Sequence, residues 1–234
     1  PPYTLLVLTM IYVLAGFLGR SPWKSYDISN FGLMQELASE ASSWWRPNVL
    51  ENFADSSALL PYWIGAICIQ SLGPFLGYEL AAKLPFILML AATITLIWYG
   101  VYYLALSRHA QPVPFAFGGE ATPKEYAKAI ADAGTLAFMA CIGLAQASHE
   151  VGPALSQLFF ATLIFSSCAA LTHRLYLPLL GFVLGSLGLS LSAAPNIALF
   201  LGVAASLIGI WSLLAQTFSI QGPNPDIKIN IFKV

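Results

Sequence analysis

The sequence predicts an all-α, polytopic membrane protein: a transmembrane bundle of about seven spans with amphipathic helices at the membrane interface. Hydrophobic residues make up 58% of its 234 residues and charged residues only 9%, whereas soluble domains carry roughly 25% charged residues. Several apolar stretches approach the length of about 20 residues that a helix needs to cross a bilayer. Ionisable side chains concentrate between these stretches, where water or headgroups solvate them.

Seven apolar stretches are the predicted spans, because a segment in hydrocarbon has to satisfy its own backbone hydrogen bonds as a helix. The fourth is short, and we expect it to take up length from an amphipathic helix before it. The stretches are residues 3–19, 59–77, 84–106, 133–147, 153–172, 175–193 and 196–216. Residues 1–216 are therefore expected to form one transmembrane domain, followed by a polar tail at 217–234.

The first polar loop, residues 20–58, is predicted to contain a helix that lies on the membrane surface. Asp27 stands before an apolar-periodic run and can cap this helix by accepting backbone N–H groups. Trp44 and Trp45 follow the run, as is typical where rings lie at headgroup level. The expected apolar face consists of Ile28, Phe31, Met34, Leu37, Ala38 and Ala41.

The second polar loop, residues 107–132, begins with an irregular stretch rich in proline and glycine. Thr122 and Glu125 then have the spacing of a capping box, with Pro123 at the first helical position. This pattern predicts a helix that starts at Pro123 and continues directly into the fourth span.

Composition and motif content limit the classes of function. A formal net charge of -1 excludes nucleic-acid binding by bulk electrostatics. The sequence identifies no cofactor motif and leaves a divalent metal open. Cys68, Cys141 and Cys168 lie in apolar segments and are interpreted as small core residues. The pairs His149-Glu150 and His173-Arg174 are interpreted as solvated turn residues.

The distribution of basic residues predicts an orientation. If all seven spans cross, both polar loops, the turn between the fifth and sixth spans and the tail share one side. That side holds nine of the ten Lys and Arg residues, and only Lys83 lies on the other. The positive-inside rule makes the basic side cytoplasmic.

The first half of the chain contains a set of short motifs: Gly19-Arg20-Ser21-Pro22-Trp23-Lys24, Asp27, Phe31-Gly32, Trp45-x-Pro47, Tyr62-Trp63, residues 111–120 and Ser148-His149-Glu150. In these motifs it resembles bacterial aminoarabinose-transferase-like glycosyltransferases, of the GT-C class that also contains protein mannosyltransferases. The resemblance covers about residues 3 to 150, and the later spans match only in hydrophobicity. It implies an enzyme of the bacterial inner membrane with a periplasmic first loop, which conflicts with the basic-residue count. Such an enzyme moves a sugar from a polyprenyl-phosphate to a lipid or a protein.

The resemblance also implies a site in the first loop. A carboxylate just above the membrane acts as base on the acceptor hydroxyl, or binds the acceptor or a metal, while cations hold the lipid phosphate. The implied carboxylates are Asp27, with Asp55 and Glu150 as second candidates, and the implied substrate-binding residues are Arg20, Lys24, Arg46 and Tyr26.

This chain departs from the family motif at two positions. Tyr26 stands where the family has Asp, with Asp27 at the following Glu, and Ser57 stands where the family has a phosphate-binding Lys. Two interpretations follow: a glycosyltransferase-like protein that is weakened or truncated, and a non-catalytic transmembrane subunit that packs within a larger membrane complex. Asp27 is also interpreted in two ways, as a helix N-cap or as a catalytic carboxylate. The chain also begins with Pro1-Pro2 and no Met, which indicates that the natural N-terminus is missing or was removed.

Overall fold

A computed structural model describes residues 3–22, 24–49, 52–53, 58–107, 110–112, 121–171, 173–174 and 176–220, with the backbone alone at 52–53 and 211–220. In this part of the chain the architecture is helical, with a single short hairpin, so the all-α prediction is confirmed. The helices are α1 (Thr4–Phe17), α2 (Ser25–Ala38), α3 (Leu60–Leu76), α4 (Tyr78–Ala105), α5 (Pro123–Ala140), α6 (Ile142–Ser148), α7 (Pro153–Ala170), α8 (Tyr176–Leu191) and α9 (Pro195–Ile220). The hairpin pairs β1 (Asn48–Val49) with β2 (Asn52–Phe53) in antiparallel register.

Two helices, α4 and α7, are long and apolar enough to cross a membrane, and the bent pair α5 and α6 makes a third if it counts as one span. The remaining apolar helices, including the Pro195–Ile210 part of α9, have 10–17 residues. Every predicted span is thus largely helical, but a count of seven spans is not confirmed.

The predicted start of α5 is confirmed. The Thr122 side chain accepts a hydrogen bond from the Glu125 backbone N–H, and the Glu125 side chain accepts one from the Thr122 N–H, with Pro123 at the first helical position. The helix also continues into the fourth predicted span as expected, as far as Ala140, but that span is not one helix. Cys141 adopts extended backbone angles (φ -75°, ψ 101°) and is exposed, not a core residue. The chain bends by 75° there, and α6 then carries Ser148 and His149 towards α1.

Helix α4 is the central helix of the bundle. It runs parallel to α7, because Ser156 near the start of α7 contacts Met89 and Phe165 further along lies against Gly100. It runs antiparallel to α1, since Ser21 just after α1 donates a hydrogen bond of 3.0 Å to Glu79 at the start of α4. The first turn of α1 lines a cavity with the later part of α4.

Helix α8 runs antiparallel to α7. Gly188 lies against Phe160 and Gly181 lies against Ser167, so the last turns of α8 are beside the first turns of α7. The two glycines and Gly185 let the backbones approach closely, as small residues do in membrane helices. We call the end of the bundle where α1 and α8 stop and α4 and α7 begin the proximal end, and the other the distal end.

Helix α3 begins and ends at the proximal end. The Leu59 N–H donates to the Leu191 carbonyl at the end of α8, and Gly77 connects α3 to α4 with φ +83°. The chain therefore leaves the bundle after α1 and returns at α4 without α3 carrying it to the distal end. Lys83 donates a hydrogen bond to the Arg20 carbonyl, so the prediction that these residues lie on opposite sides is wrong.

Helix α2 packs against α3 with a face that differs from the predicted one. Met34 is fully buried against Gly65, whereas Ile28 is 52% exposed. The buried residues of α2 are Asp27, Asn30, Leu33, Met34 and Leu37. This face includes two polar residues because they hydrogen-bond to another part of the chain, which an apolar-periodicity argument does not detect.

Candidate functional site at the proximal end

The turn between α6 and α7, residues 149–152, is enclosed by residues of the first loop and α3. The Val151 N–H donates to Asp27 Oδ1 (3.2 Å), and the Val151 carbonyl accepts from Asn30 Nδ2 (3.0 Å). Asn30 Oδ1 in turn accepts from the Tyr62 hydroxyl at 3.1 Å. Both polar backbone groups of a buried residue are thereby satisfied by α2.

Asp27 is not a helix N-cap. Helix α2 begins at Ser25, its N-cap residue is Lys24, and no side chain makes a capping hydrogen bond there. Asp27 lies in the first turn, where the helix dipole favours a carboxylate, but its Oδ1 reaches across to Val151. The side chain is 3% exposed, so the carboxylate is closed off from solvent.

Two cations of the first loop hold the same turn. Lys24 Nζ forms a salt bridge of 2.9 Å with Glu150 Oε1, in which the Lys24 and Glu150 side chains are 29% and 15% exposed. Arg20 donates a hydrogen bond of 2.9 Å to the His149 carbonyl. We call Arg20, Lys24, Tyr26, Asp27 and Glu150 the proximal cluster.

His149 packs tightly against α1. Its Nε2 lies 2.9 Å from the Tyr12 carbonyl oxygen and its Nδ1 lies 2.6 Å from the Ala145 carbonyl oxygen. Its ring lies so close to Gly16 that a Cβ there would be 1.9 Å from Cδ2. The side chain is 7% exposed. The interpretation of His149 as a solvated turn residue is therefore wrong, whereas His173 and Arg174 are exposed.

Tyr26 forms the accessible edge of the proximal cluster, with 47% of the residue exposed. Its partial burial raises its pKa, a side-chain hydrogen bond with Asn30 lowers it, and the negative charge of Glu150 raises it, with a net increase above the ordinary value. The phenol therefore keeps its proton at neutral pH and can donate a hydrogen bond.

The structure brings together five of the predicted site residues, the members of the proximal cluster. Arg46 is exposed and lies in the turn before β1, where its N–H donates to the Ser43 carbonyl at 3.1 Å. Asp55 lies outside the described residues. Sequence reasoning missed Asn30, Tyr62 and Lys83. A weak signal for Asn30 was its place one helical turn after Asp27, on the same face as Met34.

The proximal cluster contains two carboxylates and two cations in a partly closed environment. Its carboxylates can accept protons, its cations can hold an anion and Tyr26 can donate a hydrogen bond. Among the described residues, no three His, Cys, Asp or Glu side chains are grouped so that they could hold a metal ion.

The chain matches no family model, no curated protein and no solved structure.

Proposed function

We propose that this chain is a glycosyltransferase-like membrane protein of the GT-C type that takes a sugar from a polyprenyl-phosphate donor at the proximal end. The observation that supports the proposal is that Arg20, Lys24 and Asp27 all bond to the turn that contains Glu150: Lys24 to Glu150 itself, and the other two to the backbone of its neighbours. The resemblance implies a site role for Arg20, Lys24, Asp27 and Glu150, although Glu150 lies more than 120 positions after the other three in sequence. Independent packing of the two segments gives no reason for three polar side chains of the first loop to bond to this one turn.

The proposed reaction at the cluster is a displacement at the anomeric carbon of the donor sugar. A carboxylate takes the proton of the acceptor hydroxyl, the acceptor oxygen bonds to the anomeric carbon, and the bond from that carbon to the phosphate oxygen breaks. Polyprenyl phosphate leaves as an anion, and Arg20 and Lys24 are placed to stabilise its charge. Arg20 suits a phosphate because its guanidinium binds in a bidentate manner.

The two carboxylates differ in accessibility. The Glu150 side chain is 15% exposed, whereas Asp27 is 3% exposed and bonded to the Val151 N–H. For Asp27 to reach an acceptor hydroxyl, the turn at 149–152 has to move away from α2. Binding of a lipid phosphate to Lys24 supplies a driving force, because it competes with Glu150 for the same ammonium group.

The proposed setting is the bacterial inner membrane, with the proximal end on the periplasmic side and six of the seven predicted spans crossing, since α3 does not. Both substrates of such a reaction have an apolar tail and a polar head, and the cluster lies where α4 and α7 begin. The basic-residue count no longer opposes this orientation. That count was made with every predicted span crossing the membrane, including α3. In the structure both ends of α3 lie at the proximal end.

The test is transfer from polyprenyl-phosphate mannose and polyprenyl-phosphate aminoarabinose in proteoliposomes, measured as release of polyprenyl phosphate. We expect Asp27→Asn to reduce the rate by about 10²–10³, as removal of one preorganised electrostatic group does. Glu40→Gln is the matched control, because Glu40 is an exposed carboxylate of the same loop outside the cluster. Size-exclusion profiles and circular dichroism establish that each variant is folded.

Wild-type release with either donor, lost in Asp27→Asn and kept in Glu40→Gln, supports the proposal. Equal rates in wild type and Asp27→Asn remove Asp27 from the mechanism. Glu150→Gln then decides whether the accessible carboxylate is the base instead. If no variant differs from protein-free vesicles, the enzymatic proposal fails.

A second candidate function is a non-catalytic transmembrane subunit of a larger membrane complex. It is favoured by the burial of Asp27 and by the use of Arg20 and Lys24 in internal contacts, which together make the cluster a structural clamp. Exposed apolar side chains on α8 and α9, such as Tyr176, Leu199 and Phe200, offer surface for a neighbouring helix. Purification in mild detergent separates the candidates: a stoichiometric partner supports the subunit, and a solitary protein with donor turnover supports the enzyme.

A further inference from the structure

A groove lies at the distal end of the bundle, far along α4 from the proximal cluster. It has a volume of about 470 Å³ and is bounded by α4, α7 and α8, within the roughly 300–1,000 Å³ typical of small-molecule sites. Its walls are largely apolar. The lining residues used here are Leu96, Tyr99 and Tyr103 of α4, Leu163 of α7, Leu184 of α8 and Arg174 just before α8.

The aromatic side chains beside the groove are typical of the depth at which a membrane helix meets headgroups. The last turns of α4 carry an aromatic group in which Trp98 stacks on Tyr102 with ring centroids 5.3 Å apart. Tyr99 and Tyr103 stack in the same way at 6.3 Å. Tyr and Trp concentrate at membrane–water interfaces because each ring has an apolar body and a polar tip. Side chains further from this aromatic group, towards Leu163 and Leu184, therefore face hydrocarbon.

A cation lies beside the mouth of the groove. The His173 ring packs on the Tyr103 ring at 5.2 Å, and its Nε2 lies 3.4 Å from the Tyr103 carbonyl oxygen. The backbone N–H groups of His173 and Arg174 both donate to the Ala170 carbonyl at 2.9 Å. These contacts fix the turn, so the exposed Arg174 is held at the groove edge at headgroup depth.

We propose that this groove binds an anionic phospholipid, with one acyl chain between α4, α7 and α8 and the phosphate paired with Arg174. An open apolar groove between membrane helices is filled by lipid, and the charge at its mouth decides which lipid is favoured. A guanidinium binds phosphate through two parallel N–H···O bonds. The site is independent of sugar transfer, since it lies at the opposite end of α4 from the proximal cluster.

Native mass spectrometry of the purified chain tests the site. The protein is held in mild detergent with equal amounts of phosphatidylglycerol and phosphatidylethanolamine that have identical acyl chains. We expect wild type to retain more phosphatidylglycerol. Arg174→Gln should weaken that binding about fivefold, the equivalent of about 1 kcal/mol for one basic side chain near an anionic lipid surface.

Two further variants separate the headgroup contact from the groove. Lys128→Gln removes an exposed cation of α5 that does not line the groove, and it should retain both lipids as wild type does. Leu184→Trp enlarges an exposed wall residue and should reduce retention of both lipids. Equal retention of the two lipids by wild type, or an equal loss in Lys128→Gln and Arg174→Gln, overturns the proposal.

Discussion

At the residue scale, a few polar side chains join segments that are distant in sequence. Asp27 and Asn30 hold the two backbone groups of Val151, and Lys24 pairs with Glu150. Leaving a buried backbone group without a partner costs about 1–3 kcal/mol. These contacts therefore contribute to the position of α7 relative to α2 whether or not the chain is an enzyme.

The close approach of Gly16 to His149 gives a prediction at this scale. In Gly16→Ala the new Cβ would overlap the imidazole ring, which is held on both sides by carbonyl oxygens. We expect a loss of about 1–3 kcal/mol in the free energy of unfolding, the usual cost of overpacking. Thermal unfolding in detergent, followed by tryptophan fluorescence, measures it.

Gly202→Ala is the matched control, because a Cβ at Gly202 of α9 meets no atom within 4 Å. Alanine is the better helix former, so the control should keep its stability or gain up to about 1 kcal/mol. Equal stability of the two variants would show that the α1–His149 contact is not as tight as the structure has it.

At the element scale, the start of α5 follows a local sequence signal, whereas the start of α2 and the break after α5 were not predicted. The capping box at Thr122 and Glu125 is formed as predicted. The break at Cys141 has no proline beside it, and the glycine that follows, Gly143, lies two residues further on, inside α6. The break is fixed by packing, because α6 has to turn for His149 to reach α1.

The cap gives a second prediction. Thr122→Ala removes the side-chain oxygen that accepts from the Glu125 N–H and should destabilise the start of α5 by about 1 kcal/mol. Hydrogen exchange of the first-turn amides, from Glu125 to Tyr126, should accelerate correspondingly. Thr95→Ala in the middle of α4, where an exposed threonine only bonds to the Ala91 carbonyl, should leave the exchange of α5 unchanged. Unaltered α5 exchange in Thr122→Ala contradicts the prediction.

At the scale of the whole molecule, the path of the chain between α1 and α4 decides the topology. Both ends of this segment, and both ends of α3, lie at the proximal end. Apolar length alone suggested a span, because α3 is an apolar helix of 17 residues. Its packing against α2, and the hydrogen bond from Leu59 just before it to the end of α8, place it at one end.

Cysteine labelling tests this topology. In a background without Cys68, Cys141 and Cys168, single substitutions Ser21→Cys, Glu79→Cys and Lys124→Cys are labelled with a membrane-impermeant thiol reagent on sealed vesicles. We expect positions 21 and 79 to react from the same side and position 124 from the other. Reaction of positions 21 and 79 from opposite sides would mean that α3 crosses the membrane and would refute the arrangement at the proximal end.

The sequence by itself determined the all-helical class, most helix positions and the start of α5. These depend on composition, hydrophobic periodicity and capping chemistry, which act within a few residues. It also named Arg20, Lys24, Tyr26, Asp27 and Glu150 as site residues through a motif resemblance.

Only the tertiary structure decided that these residues meet, that Asp27 bonds to Val151 instead of capping α2, and that α3 stays at the proximal end. The physical reason is the separation along the sequence between the residues that interact. A helix forms from hydrogen bonds between residues four positions apart. The partner of a buried carboxylate and the direction of a helix depend instead on contacts between distant segments, which local sequence patterns do not reveal.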